Sequence, residues 1–209
     1  MVHSDQFVFD EKVYFDQTFS HITLEDGRLE LIEFQNCRFK QCKFTAVIFS
    51  KIRFTECDFE HCDLSLSKFP GCKFSEVAFN DSKLIGINWT EINWPLVKLT
   101  SPIYFYNSNI SHSSFYGLEL TNLILENCKA HDIDFREANL SHASFVGTDL
   151  HNSLFMHTSL NHADFTEAIN YIIDIQQNRL SRASFSFPDV IGLLTSLDIK
   201  IKGGPDSDS

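Results

Sequence analysis

The side chains best able to do chemistry in this chain are six cysteines and nine histidines. Cys37, Cys42, Cys57, Cys62 and Cys72 are separated by multiples of five, Cys128 breaks that phase by one, and no C-x-x-C pair occurs. Zinc sites need ligand pairs a few residues apart, so this spacing argues against a metal, and a reducing compartment argues against disulfides. Each cysteine stands two residues before a position of a five-residue grid, large and apolar in every case but Ala130, in a slot shared with Ile22, Val47, Ile52, Val77, Ile87, Ala138 and Ala163. A free thiol behaves as a small hydrophobe, so the slot reads as compact and apolar. His112, His142, His157 and His162 stand two residues after such a position and are expected to face outward. His142 and His162 are one repeat of twenty apart, which would stack them without a third ligand. The chain has no glycine-rich phosphate loop, nucleophile elbow or metal-binding helix motif. The expectation is therefore no catalytic residue, no metal and no cofactor.

The element that positions these residues is a period of five. Large apolar residues recur from Phe9 and Tyr14 to Trp94 and Leu99, then from Phe105 to Phe185. Only Ala130 and Asn170 interrupt them, and Tyr171 is placed to fill part of the second gap. Of 21 phenylalanines, all but Phe7, Phe15 and Phe187 lie on this grid. Five matches neither the helix period nor the strand period, so the chain reads as a solenoid. Two inward residues in every five require a corner at each repeat, and four corners close a square coil of about 20 residues that stacks at roughly 4.7–4.9 Å. Between Leu99 and Phe105 the grid gains one residue. With the oversized Trp89 and Trp94 and the following Pro95, this predicts a register slip at 100–104 where the solenoid changes shape or direction.

Segments such as CDFEH (57–61), ANLSH (138–142) and ADFTE (163–167) resemble the pentapeptide-repeat family, whose consensus is A(D/N)Lxx. The resemblance spans residues 9–187. It implies an all-β solenoid, a right-handed quadrilateral β-helix of about nine coils. Residues 1–8 then form an N-terminal extension, 188–202 a C-terminal helix and strand, and 203–209 a flexible tail. Pro188 suits a first helical position and Asp189 the positive helix end. An open solenoid end needs a cap. Val190, Ile191, Leu193, Leu194, Leu197, Ile199 and Ile201 supply more apolar surface than capping requires, so they are the expected dimer interface.

The net charge is −11. It argues against direct nucleic-acid binding, which needs a basic footprint. No apolar run is long enough to span a membrane, and the N-terminus lacks a secretory pattern, so a cytoplasmic protein is expected. The charge is uneven. Arg38, Lys40, Lys43, Lys51 and Arg53 make residues 34–55 a basic block without acids. The C-terminal half is acidic, and Glu126, Asp132, Asp134, Glu137, Asp149, Asp164, Glu167 and Asp174 are the candidate partner-binding surface. A rod of nine coils is on the order of 40 Å long, and a tail-to-tail homodimer would match roughly 24 base pairs of duplex.

The non-consensus stretches GINWTEINWPLVKL (86–99), SSFYGLEL (113–120), AINYIIDI (168–175) and FSFPDVIGLLTSLDI (185–199) are similar to one branch of that family. It contains the albicidin-immunity proteins and, more distantly, the quinolone- and microcin-resistance proteins. That resemblance implies C-terminal dimerisation, imitation of duplex DNA, and binding to DNA gyrase, with topoisomerase IV a second candidate. Protection from a topoisomerase poison would follow. The alternative is a protein-interaction scaffold with an unrelated partner.

Overall fold

A computed structural model describes residues 9–95, 101–197 and 199. The chain winds into a parallel β-solenoid with four walls. In the first wall the three-residue strands Val13–Phe15, Glu33–Gln35, Arg53–Thr55 and Lys73–Ser75 lie side by side, aligning Tyr14, Phe34, Phe54 and Phe74. The second wall aligns Phe19, Phe39, Phe59, Phe79, Phe105 and Leu125. It continues through Ser144 and Asp164 to the pairing of Phe165 with Phe185. The third wall runs through bridges from Thr23 and Lys43 to Asp149 and Ile169, and the fourth pairs Leu29 with Phe49 and bridges Asn88, Ser114, Asp134 and Leu154. Eight turns separate Phe19 from Phe185, so the coil falls just short of the nine expected.

The slip is six residues, not one. Phe79 pairs with Phe105 and Asn88 bridges Ser114, 26 positions on, where other turns take 20. The Asn93 N–H bonds the Cys72 carbonyl at 2.8 Å and the Trp94 ring lies 6.3 Å from Phe74, so Trp94 still belongs to the first wall. Leu99, expected as a core position, lies outside the described residues. Nor does the solenoid change direction. The buried Trp89 ring stacks 5.9 Å from Phe69 and 5.6 Å from Phe115, both nearly parallel. The six extra residues leave the ladder paired on both sides.

The corners explain the histidines. The second residue after nearly every core position has a positive φ, including Asn36, Asp81, His112, Asp132, Glu137, His142, His157, His162 and Glu167. That conformation strains most L-residues, and glycine, asparagine, aspartate and histidine occupy it most readily. Backbone geometry therefore accounts for histidine at this slot.

The slot two residues before the core position does more than hold small apolar groups. In the third wall it forms a vertical hydrogen-bonded ladder. The Cys42 N–H donates to Cys62 Sγ at 3.4 Å, Cys62 N–H to Ser82 Oγ at 3.0 Å, and Ser82 N–H to Ser108 Oγ at 3.0 Å. Ser108 N–H reaches Cys128 Sγ at 3.4 Å and Cys128 N–H reaches Thr148 Oγ1 at 3.1 Å. Cys, Ser and Thr interchange because each offers one acceptor to the coil before it and one donor to a carbonyl. All six thiols are free and buried, and burial pushes Cys57, Cys72 and Cys128 up to about 12. These three are not thiolate nucleophiles at neutral pH.

The C-terminal end closes with a 3-10 helix, Asp189–Leu197. Leu193 is buried in the core cluster and Val190 packs against it. Ile191 and Leu197 are half-buried, while Leu194 and Ile199 are exposed. Ile199 lies in no strand, and Ile201 and residues 1–8 and 203–209 fall outside the described residues. Tyr171 is buried beside Phe165 and Phe185, filling the gap left by the outward Asn170.

Two outcomes test this packing. Phe59→Ala removes a ring stacked 4.5 Å from Phe39 and 4.9 Å from Phe79, and is expected to cost about 3–5 kcal/mol in denaturant unfolding. Ser82→Ala strands the buried Cys62 N–H and is expected to cost about 1–3 kcal/mol, whereas Ser82→Cys, the residue used one coil before, restores most of it.

Candidate partner-binding surface

The coil register distributes the eight candidate acids over three walls. Glu126, Asp164 and Glu167 lie on the second wall and its corner, since Ile124, Ser144 and Asp164 bridge in series. Asp132 and Asp149 belong to the third wall, and Asp134, Glu137 and Asp174 to the fourth. The fold does not gather them into one cluster. It sets them as rows along a rod.

Their charges are not equivalent. Asp134 accepts two bonds from Arg136, at 2.9 and 2.8 Å. These hold its carboxyl below the usual carboxylate range. Asp149 meets His131 Nε2 at 2.7 Å and Asn170 Nδ2 at 2.8 Å. Burial pushes its carboxyl up, but the bonds from Asn170 and His131 outweigh that and the net shift is downward. Asp132 lies 3.6 Å from His112 Nδ1. Glu126 accepts a bond from Ser144 Oγ at 2.6 Å, and Asp164 accepts the Thr166 N–H at 2.9 Å. A hydrogen bond to Glu137 pushes the Tyr116 hydroxyl up. Among the described residues, Glu126, Glu137, Asp164, Glu167 and Asp174 form no ion pair with lysine or arginine.

Four of the five residues of the N-terminal basic block pair with acids on folding, while Lys51 lines a groove with Lys12, Arg53 and Lys73. Arg38 and Lys40 meet Glu60 at 3.0 and 3.1 Å, and Arg38 also approaches Asp58 at 3.7 Å. Arg53 meets Glu33 at 3.3 Å, and Lys43 pairs with Glu25. Most of these partners lie one coil apart, so the walls cancel charge turn by turn there. The C-terminal half has fewer bases to do this: residues 101–197 hold Lys129, Arg136, Arg179 and Arg182 against ten acids.

His142 and His162 stack with ring centroids 4.6 Å apart and planes within 5°, as the repeat predicts. Among the described residues no group of three His, Cys, Asp or Glu side chains is placed to hold a metal ion, and no helix is long and apolar enough to cross a membrane. Sequence reasoning missed the exposed apolar residues Leu154, Met156 and Ile172 beside the acids. Their signal was available: large apolar residues standing off the five-residue grid.

The family profile described as "Pentapeptide repeat region" matches residues 32–115 and 95–165. The chain belongs to the pentapeptide-repeat family. No curated protein matches it significantly in sequence. Among solved structures it is similar to trypsin-treated QnrB1, a plasmid-mediated fluoroquinolone resistance protein, at 19% identity and a TM-score of 0.56 over 88% of this chain and 99% of that one. It is also similar to HetL, a pentapeptide repeat protein involved in heterocyst differentiation regulation from the cyanobacterium Nostoc, at 16% identity and a TM-score of 0.59 over 84% of this chain and 87% of that one. At these identities the likeness is one of fold.

Within this pentapeptide-repeat protein the Asp134–Arg136 pair has a testable pH signature. A carboxyl lowered on folding contributes stability above its unfolded value of about 3.9 and loses it as pH falls through the lower folded value. Arg136→Gln is expected to move the Asp134 titration up toward the ordinary carboxylate range in carbon-detected NMR. An unmoved titration would show that the guanidinium is not what holds it down.

Proposed function

We propose that this pentapeptide-repeat protein binds DNA gyrase as a mimic of duplex DNA and protects it from a topoisomerase poison such as albicidin. The observation that carries this reading is the set of acids without lysine or arginine partners, held in rows on the stiff walls of the C-terminal half. Duplex DNA presents phosphates as a regular, rigid array of negative charge. A stacked solenoid presents carboxylates under the same constraint, because each coil fixes the height of its outward residues. A protein surface built to receive phosphates would meet these rows with favourable potential, which speeds encounter and sets register. The resemblance of the non-consensus segments to gyrase-protecting proteins supports the target, and the fold shared with a fluoroquinolone resistance protein is consistent with it.

The same reading makes the protein a homodimer joined at its C-terminal ends. Leu194 and Ile199 stay exposed after Leu193 and Val190 have capped the last coil. Leu194→Glu is expected to convert the dimer to monomer in sedimentation without loss of the β-solenoid signal in circular dichroism. A wild-type chain that sediments as a monomer at all concentrations would remove the dimer.

The functional test is gyrase supercoiling in the presence of albicidin while the protein is titrated. Rescue of supercoiling is expected with wild type. The combined variant Glu137→Lys, Asp164→Lys, Glu167→Lys should need at least about tenfold more protein while keeping its fold in circular dichroism, since Glu137 and Glu167 are exposed and Asp164 is half-buried at the surface. No rescue and no inhibition at micromolar protein would leave the scaffold reading, an interaction protein with a different partner.

A further inference from the structure

One face of the acidic half is not built like the rest of the exterior. Leu154 and Met156 flank the inward Phe155 on the fourth wall, and Ile172 stands at the corner of the next coil. Their exposures are 49%, 43% and 70%. With Asp132, Asp174 and Arg136 they line a groove of about 640 Å³. One and two coils earlier, the equivalent outward positions of this wall are Asp134 with Arg136 and Ser114 with Tyr116. The apolar floor is thus local, and the coil core does not require it.

The charges around the groove select what enters it. Arg136 is committed: its guanidinium bonds Asp134 and lies 5.8 Å from the centre of the Tyr116 ring. Asp132 and Asp174 then leave the rim net negative. Nucleic acid is excluded by that sign. The chain's own last seven residues, GGPDSDS, carry two further acids and no large apolar side chain, so they do not match either. A second copy docked here about a two-fold axis would bring the same acids against each other.

We propose that this groove binds a cationic protein segment through one or two large apolar side chains, which lie on Leu154, Met156 and Ile172 while flanking lysine or arginine residues meet Asp132 and Asp174. The inference rests on the reading of the C-terminal half as the partner-facing surface. It adds a contact that duplex DNA, with phosphates on its exterior, does not offer. Charge pairing weakens as salt screens it, whereas burial of apolar area does not. The groove therefore supplies the salt-resistant part of binding and distinguishes the mimic from the nucleic acid it imitates.

The test uses the full chain and two labelled peptides followed by fluorescence polarisation. Each peptide has four arginines spaced by glycine. One carries two central phenylalanines and the other two serines. The phenylalanine peptide is expected to bind wild type at least about tenfold more tightly at 300 mM salt. Leu154→Ser with Ile172→Ser should shrink that ratio to about twofold or less, and Met156→Ser alone should narrow it, which guards against a double variant that loses its fold. Asp132→Asn with Asp174→Asn should weaken both peptides alike. Equal binding of the two peptides, or a ratio that survives the apolar substitutions, overturns the proposal. So does a groove that neither peptide enters and whose substitution instead shifts the oligomeric state. Gyrase is absent from this assay, so its failure is separate from failure of the supercoiling test.

Discussion

Stacking of like on like at one-coil intervals is the constraint from which the rest of the molecule follows. Phe39, Phe59 and Phe79 lie ring over ring at 4.5 and 4.9 Å, and Phe145, Phe165 and Phe185 repeat this at 4.8 and 4.9 Å. These distances match the spacing that backbone hydrogen bonds impose between neighbouring strands. Ring stacking and backbone ladder thus favour the same geometry. Adjacent walls meet edge to face, as Phe34 does with Phe39, so rings from neighbouring walls interlock across the square interior.

A corner every five residues then decides the composition of the exterior. The positive-φ slot favours asparagine, aspartate, histidine and glycine. Much of the outward polarity, including Asp132, His142 and His162, therefore has a backbone reason before any partner is considered. The cysteines have a similar explanation. Cys62 and Cys128 sit among serines and threonines in a column where each side chain accepts the N–H of the preceding coil, and burial pushes the Cys128 thiol up. Residue types that suggest catalysis elsewhere serve conformation here.

Function is left to what conformation does not explain. Glu126 is not needed at a corner, and among the described residues no lysine or arginine forms an ion pair with Glu126, Asp164 or Asp174. The N-terminal half shows the contrast. There Arg38 and Lys40 stand over Asp58 and Glu60, and vertical pairing spends the charge inside the protein. The same geometry pairs many charges in one half and leaves more acids without a basic partner in the other, because residues 101–197 hold four bases against ten acids. The apolar groove at Leu154, Met156 and Ile172 is a second departure of this kind, since the coil core does not require large apolar side chains at those outward positions.

The repeat was legible in the sequence because a period of five has one economical solution, a square coil, and nearly every core position could be named from it. The facing of His142 on His162, and the filling of the Asn170 gap by Tyr171, follow from that period alone. The six-residue slip was misread as one, because counting modulo five cannot distinguish one added residue from a whole repeat plus one. Only the pairing of Phe79 with Phe105 separates the two. The hydrogen-bonded role of the Cys and Ser column was hidden because size and polarity point the same way for a small side chain, and its partner is a backbone group twenty residues off. Pairing of most of the basic block and survival of the acidic rows were likewise decided by tertiary structure, since the neighbours that set a charge's field are one coil away in space and twenty residues away in the chain.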